Sequence, residues 1–180
     1  IRVLILYPLN ALVNDQVERL HGWIKGQNQV TLFPFTGESP ENDYEANQIP
    51  LLKYDASRMR TREEARGREN HEGERLKDGG GPQPDILITN YSMLEYMLAR
   101  PQDDCFFTDA LEAIILDEAH LYNGTLAAEI TLLLRRVLLR CGKKPDQVLQ
   151  IATSATLGGT QEDLIRFAST LFSKSPESVF

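Results

Sequence analysis

Asp117 and Glu118 stand side by side directly behind the apolar run Ile114-Ile115-Leu116, and Ala119-His120 follow them. Adjacent carboxylates in that position suit two jobs. A hard cation such as Mg²⁺ takes oxygen ligands, so Asp117, as the last residue of its strand, is suited to hold one through water. Glu118 can then orient a water molecule or accept its proton. The competing reading is structural, because two acids ahead of a helix can cap it and meet the positive end of its dipole. Further along, Ser154 and Thr156 follow a second apolar run that ends in Ile151-Ala152-Thr153. Their hydroxyls can bond an imidazole or a carboxylate, or serve only as turn residues. His120 has no second His or Cys three or four residues on, so its spacing does not make it a metal ligand.

Three more segments place small or polar residues just after apolar runs: Pro8, Asn10 and Ala11; Thr36 and Gly37; Thr89 and Asn90. The first and third open helices, where main-chain N–H groups meet anions, and Gly37 allows close backbone approach because it lacks Cβ. Each segment alone reads equally well as a capping turn. All three at one sheet edge make a track for a phosphate backbone, with no group placed to read base edges.

These residues need a sheet to hold them. Arg2 to Tyr7 is a short strand, closed by Pro8 before an amphipathic helix from Leu9 to Ile24, and Gln29 to Phe35 is the next strand. That is the βαβ rhythm of a parallel sheet. Regular structure resumes with the strand Asp85–Thr89, a helix over Ser92–Ala99, a short helix at Phe106–Leu111 and the strand Ala113–Asp117. Thr125–Leu139 has the clearest helical periodicity, with Gly142 as its stop, and a strand over Val148–Thr153 precedes a helix over Gln161–Phe172 capped by Thr160. Open α/β sheets bind ligands beyond the carboxyl ends of their strands, where all the residues above fall.

Between about 38 and 84 the rhythm breaks. Arg58, Arg60, Arg62, Arg66, Arg68, Arg75 and Lys77 are nearly balanced by Glu63, Glu64, Glu69, Glu72, Glu74 and Asp78, and a flexible Gly79-Gly80-Gly81 run follows. The composition predicts an insertion or lid-like loop, whose Arg/Glu portion can form a solvated helix with i,i+4 ion pairs, with a nucleic-acid contact as the alternative.

A chain of 180 residues, 42% hydrophobic and 25% charged, suits one domain with a substantial core. Its net charge of −7 excludes a surface that is basic all over, but not a narrow backbone track. No apolar run approaches the ~18–20 residues of a membrane span and no signal-peptide pattern is present, so the cytoplasm is the expected compartment. Cys105 and Cys141 lack metal or disulfide spacing and read as reduced thiols. Tyr7, Trp23, Phe33 and Phe35 read as core, His21 and His71 as surface, and Tyr122 as a residue able to line a cleft.

The motif wording goes further. Asp117-Glu118-Ala119-His120 matches the DEAH form of motif II and Ser154-Ala155-Thr156 matches motif III of superfamily 2 helicases. Tyr7–Gln16 is similar to motif Ia, Thr36-Gly37 to the short Thr-Gly motif, and Thr89–Leu94 to the segment before motif II. The chain thus resembles the first RecA-like motor domain of DEAD/DEAH-box helicases, in flavour the bacterial Lhr-like group. The resemblance implies an α/β, P-loop NTPase-type fold, a mostly parallel sheet with helices on both faces, with residues 1–180 forming part of the ATP-binding domain. It implies ATP with Mg²⁺ as cofactors, Mg²⁺ at Asp117, Asp117, Glu118, Ser154 and Thr156 at the nucleotide, and His120 coupling the γ-phosphate to domain closure. DNA is the implied partner, single-stranded or duplex, with RNA as the alternative, together with a second RecA-like domain and no membrane.

No G-x-x-x-x-G-K-[ST] phosphate loop occurs in the chain. In this family it precedes motif Ia, so the chain is expected to be a piece of a longer motor, inactive alone, with uncovered sheet and apolar surface that favours self-association or marginal stability. Rival readings are the motor subunit of a restriction or phage-defence complex, a non-catalytic remnant that binds nucleic acid or a partner, and an unrelated P-loop ATPase. The last explains neither Ser-Ala-Thr nor the motif Ia wording.

Overall fold

The structure is a computed structural model that describes residues 1–26, 29–50, 52, 55–70, 72–76, 80–154 and 160–180. His71, Lys77, Asp78, Gly79 and Thr156, all singled out above, lie outside the described residues. Five apolar runs form β1 (Val3–Tyr7), β2 (Leu32–Phe35), β3 (Ile86–Asn90), β4 (Ala113–Leu116) and β5 (Leu149–Ala152). They pair in the order β2-β3-β1-β4-β5, with every neighbouring pair parallel. This is the expected α/β sheet.

Side chains alternate between two faces, and each face has its own core. Ile5, Tyr7, Leu32 and Ile88 pack with Val13 and Val17 of α1 (Asn10–Ile24). Leu4, Leu6, Phe33, Phe35, Leu87, Ile114 and Leu116 pack on the other face, against α4 (Tyr91–Ala99) and α5 (Gly124–Arg140), with α6 (Gln161–Phe172) on the outer flank of α5. Two short helices, α2 (Asp43–Ala46) and α3 (Arg62–Ala65), lie between β2 and β3. After β1 the chain moves toward β2 on one face, and after β4 toward β5 on the other. The adjacent ends of β1 and β4 are therefore the switch point of the sheet, where the outgoing chains part and leave a crevice. On the α1 side of β5, Leu149 and Ile151 remain 60% and 37% exposed, because α1 does not reach that far.

Helix ends follow local chemistry. The Thr160 hydroxyl accepts the Asp163 N–H at 3.2 Å, and the Asp163 carboxylate accepts from Thr160 N at 3.0 Å and Oγ1 at 2.8 Å, a reciprocal cap on α6. A Thr160→Ala variant is expected to lose about 1 kcal/mol in urea unfolding. The predicted helix at Phe106–Leu111 is shifted: a 3₁₀ helix covers Pro101–Phe106, because Pro101 presets its first turn. Gly142 takes the left-handed φ of +65° that ends α5.

The charged stretch corrects the expectation of a solvated helix. Its regular helices are only four residues each, opened by Asn42 and Thr61 as side-chain caps. Its ion pairs mostly reach far along the chain: Arg58 to Glu18 at 2.7 Å, Arg60 to Asp43 at 2.9 Å and Arg66 to Asp103 at 2.8 Å. Arg66 and Asp103 are completely buried at their side chains. The segment lines the free edge of β2, where Leu32 N–H donates to Ser57 O and Met59 N–H to Leu32 O, each at 2.9 Å. Gly81 of the glycine run is packed rather than loose. It crosses Gly67, where a Cβ would lie 2.4 Å from the Gly81 carbonyl oxygen.

Two aromatic and histidine expectations also change. Tyr7, Phe33 and Phe35 are buried as predicted, but Trp23 is 69% exposed near the end of α1, off the face that carries Val13 and Val17. His21 is not an open surface residue; its ring meets Asp55 at 3.2 Å. Asp55 also accepts from Ser57 N at 2.9 Å and from the Ser57 hydroxyl, and these bonds first, then His21, hold its carboxyl down at about 2. The folded value lies below the ordinary 3.8, so the stability that Asp55 contributes is present above that pH and is lost as pH falls toward 2. An Asp55→Asn variant is expected to flatten the dependence of unfolding free energy on pH across that interval.

Candidate functional site

The carboxyl edge of the sheet divides into two halves that meet at β1. On one side, β4 and β5 end in Asp117-Glu118 and Thr153-Ser154. The Asp117 N–H donates to Leu6 O at 3.0 Å, fixing the acid beside β1. Its Oδ1 accepts from the Thr153 hydroxyl. That contact leaves the second carboxylate oxygen for another ligand.

Glu118 turns the chain sharply. It adopts φ +52°, ψ 43°, left-handed backbone that costs a residue with a Cβ on the order of 1 kcal/mol or more. Neighbouring bonds impose it: Asp117 N–H is held by Leu6 O, and Ala119 N–H donates to Thr153 O at 2.8 Å. Beyond this bend, His120 Nδ1 lies 3.1 Å from Ser154 Oγ and 3.2 Å from Glu118 Oε2. His120, Glu118 and Ser154 are thus brought together although 34 residues separate the ring from the serine. Neither acid caps a helix. Glu118 precedes only a three-residue 3₁₀ turn and makes no side-chain cap bond, while α5 starts at Gly124 with no acid in its first turn.

The surroundings are dry on one side. Tyr122 is 1% exposed and its hydroxyl has no hydrogen-bond partner among the described residues. Burial first, then the Asp117 and Tyr91 charges, push its phenol well above the ordinary value. The Tyr7 phenol is raised to about 12 by burial and then by Asp117. Tyr122 is packed into the hydrophobic core on the α4–α5 face of the sheet. Among the described residues no three His, Cys, Asp or Glu cluster as a closed metal cage. A single available carboxylate suits a hydrated Mg²⁺ whose remaining ligands are water and phosphate oxygens.

On the other half of the edge, β1, β3 and β2 are neighbours, so the segments after them line up. Asn10 and Ala11 are exposed at the start of α1, which has no side-chain cap and no acid in its first turn. Asn90 bridges two of the segments: its Nδ2 donates to Asn10 Oδ1, and its Oδ1 accepts the Met93 N–H at 2.8 Å at the start of α4. Pro8 is half-buried ahead of α1. Gly37 is exposed at the end of β2.

Two of the predicted contact residues point inward instead. Thr89 is wholly buried and its hydroxyl donates to Phe35 O at 2.6 Å, so it ties β3 to β2. Thr36 is 3% exposed, with its N–H donating to Ser39 Oγ at 2.9 Å; it shapes the turn and leaves Gly37 outermost. Conversely, Thr153 was not among the predicted site residues, although a hydroxyl at the end of a strand next to an acid-bearing strand was a usable signal.

Comparison with known proteins bears on the family and the fold. Druantia protein DruE of Escherichia coli (strain UMEA 4076-1) is 44% identical over 105 residues, covering 53% of this chain and 6% of DruE. The uncharacterized ATP-dependent helicase MJ1574 of Methanocaldococcus jannaschii is 28% identical over 180 residues, 99% of this chain and 22% of MJ1574. The chain therefore spans under a quarter of either relative. Among solved structures, the DUF1998 helicase MrfA superposes with a TM-score of 0.63 at 23% identity, covering 96% of this chain and 22% of MrfA, and it has also been solved bound to DNA and to DNA with AMPPNP. That likeness speaks for the fold. The family model for DEAD/DEAH box helicases matches residues 1–164, acid pair and Thr-Gly turn included, and the chain belongs to that family.

Proposed function

We propose that residues 1–180 are part of the first motor domain of an ATP-dependent helicase or translocase that moves on DNA in the cytoplasm. The observation that carries this reading is the strained Glu118 at the sheet's switch point. It is held between Asp117, whose carboxylate keeps one oxygen available, and His120, which reaches Ser154 on the neighbouring strand's exit.

In this reading Asp117 would hold Mg²⁺ through water, and the ion would supply charge compensation for the phosphate oxygens of ATP. Glu118 orients the attacking water and takes its proton. His120 and Ser154 hold the Glu118 carboxylate in its bend and pass its state to the exit of β5, where a second RecA-like domain closes. Asn10, Ala11, Gly37 and Asn90 meet successive phosphates of one strand through main-chain and amide groups, with Pro8 presetting the start of α1. These contacts carry no base readout, so the motor is indifferent to sequence.

MrfA, solved with DNA and AMPPNP, supports DNA as the track. The test is phosphate release by the longest natural polypeptide that carries this chain, with and without single-stranded DNA and RNA. Stimulation by DNA above RNA is the expected result. Turnover indifferent to both would overturn nucleic acid as the track, and no turnover at all would overturn the motor reading in favour of a non-catalytic remnant. The match to Druantia protein DruE is consistent with a second reading, the motor subunit of a phage-defence complex. Flanking nuclease or methyltransferase sequence would decide for it.

A further inference from the structure

The charged segment between β2 and β3 does more than cover a sheet edge. Its Arg62 ends on the turn that follows β2: Nη2 donates to the Thr36 carbonyl at 2.7 Å, and that carbonyl also accepts Ser39 N–H at 3.2 Å. Thr36 N–H is taken by Ser39 Oγ at 2.9 Å and Glu38 N–H by Thr36 Oγ1 at 3.2 Å. Gly37 is left exposed, with no atom within 4 Å of the position a Cβ would take and no internal acceptor for its N–H among the described residues.

Arg62 itself is held by several contacts. Its guanidinium lies 4.9 Å over the Phe35 ring and 3.3 Å from Glu41, with only 14% of the side chain exposed, and its N–H donates to Pro40 O at 2.9 Å. Arg66, one helical turn on, anchors α3 to the core through Asp103. A charge-assisted hydrogen bond to a carbonyl is about twice as strong as a neutral one, and a planar fork stacked on an aromatic ring holds its direction.

We propose that Arg62 is a positioning residue for nucleic acid. It holds the Thr36–Gly37 turn in the shape that presents the Gly37 N–H to a phosphate, and the inserted segment is the brace that holds Arg62. The proposal rests on the reading that Gly37 meets the nucleic-acid backbone. Arg62 does not touch the phosphate; its Nη1 and Nη2 are committed to Glu41 and the Thr36 carbonyl, and its Nε is buried.

The experiment measures ATP turnover of the natural polypeptide against oligodeoxythymidine concentration at several salt concentrations, for Arg62→Ala, Arg62→Lys, Gly37→Val and Arg68→Ala. Arg62→Ala raises the half-saturating oligonucleotide concentration about tenfold, the scale of one charge-assisted hydrogen bond, with kcat at saturation within about twofold and the salt slope unchanged. Arg62→Lys, which keeps a donor toward Thr36 O, recovers most of the loss. Arg68→Ala, exposed in the same segment, changes nothing.

Gly37→Val tests the underlying reading separately. If it binds normally, the turn is not a contact and both ideas fall; if it weakens binding while Arg62→Ala does not, only the role of Arg62 is overturned. A salt slope reduced by about one in Arg62→Ala means a direct phosphate contact and overturns positioning. A fall in kcat and melting temperature together in Arg62→Ala, without recovery in Arg62→Lys, means a purely structural role and does the same.

Discussion

Glu118→Gln lowers the DNA-stimulated ATP turnover of the natural polypeptide by about 10²–10⁴-fold, while nucleotide and oligonucleotide binding stay close to the parent. Gln matches Glu in size and tolerates the same left-handed backbone about equally, so the bend between Leu6 O and Thr153 O survives. What is lost is the proton acceptor and the negative charge facing His120 Nδ1 at 3.2 Å. In the proposed role the interaction matters only when water is being activated, so the loss is expected on kcat rather than on affinity. Phosphate-release kinetics beside equilibrium binding of a non-hydrolysable nucleotide separate the two. Turnover within about tenfold of the parent would remove Glu118 from the water-orienting role.

The second large effect is on stability. Arg66→Met is expected to cost about 3–5 kcal/mol, because it removes the only hydrogen-bonded cation of the buried Asp103 among the described residues and leaves it the longer Arg100 ion pair. Both side chains are completely buried, joined from Nε to Oδ1 at 2.8 Å, and Arg66 also meets Glu63 at 2.9 Å and Glu41 more closely still. Burial alone would lower the Arg66 pKa, but the bonds from Glu41 and Asp103 outweigh it and hold the group charged. Arg100 lies 3.6 Å from the other Asp103 oxygen, too far for a hydrogen bond to replace the missing one. The double variant Arg66→Met with Asp103→Leu is expected to recover most of the loss, since an apolar pair needs no desolvation. Denaturant unfolding of the four proteins of this cycle measures it. A single-variant loss under about 1 kcal/mol would mean that water reaches the pair and that it behaves like a surface ion pair.

The two experiments probe features of different legibility. Asp117-Glu118 was readable because an apolar run of strand length ends in acids, and the strand end falls where parallel sheets bind ligands. The same reasoning located Asn10, Gly37 and Asn90 at one edge. It did not foresee that the Thr89 hydroxyl turns inward, because Phe35 O on the neighbouring strand offers a partner at 2.6 Å. It failed for Arg66, which reads as one more solvated charge among many in a stretch where arginines and glutamates alternate. Its partner, Asp103, lies 37 residues away after another strand and helix. Trp23 went the other way, apolar by type and exposed by its place on α1.

Taken by itself, the sequence determined the strands and helices, their parallel βαβ order, the acids at a strand end and the hydroxyls at another, because periodicity and composition report neighbours within a turn or a strand. Ser154 was legible as a partner for His120 through the motif resemblance. Tertiary structure alone decided that β4 and β5 are adjacent at the register that brings these two side chains to 3.1 Å, that Glu118 is forced to a positive φ, and that Arg62 reaches the Thr36 carbonyl. Those three depend on strand order and on which chain crosses which edge. No local pattern encodes that, since the contacting atoms come from segments whose proximity exists only after the sheet has assembled.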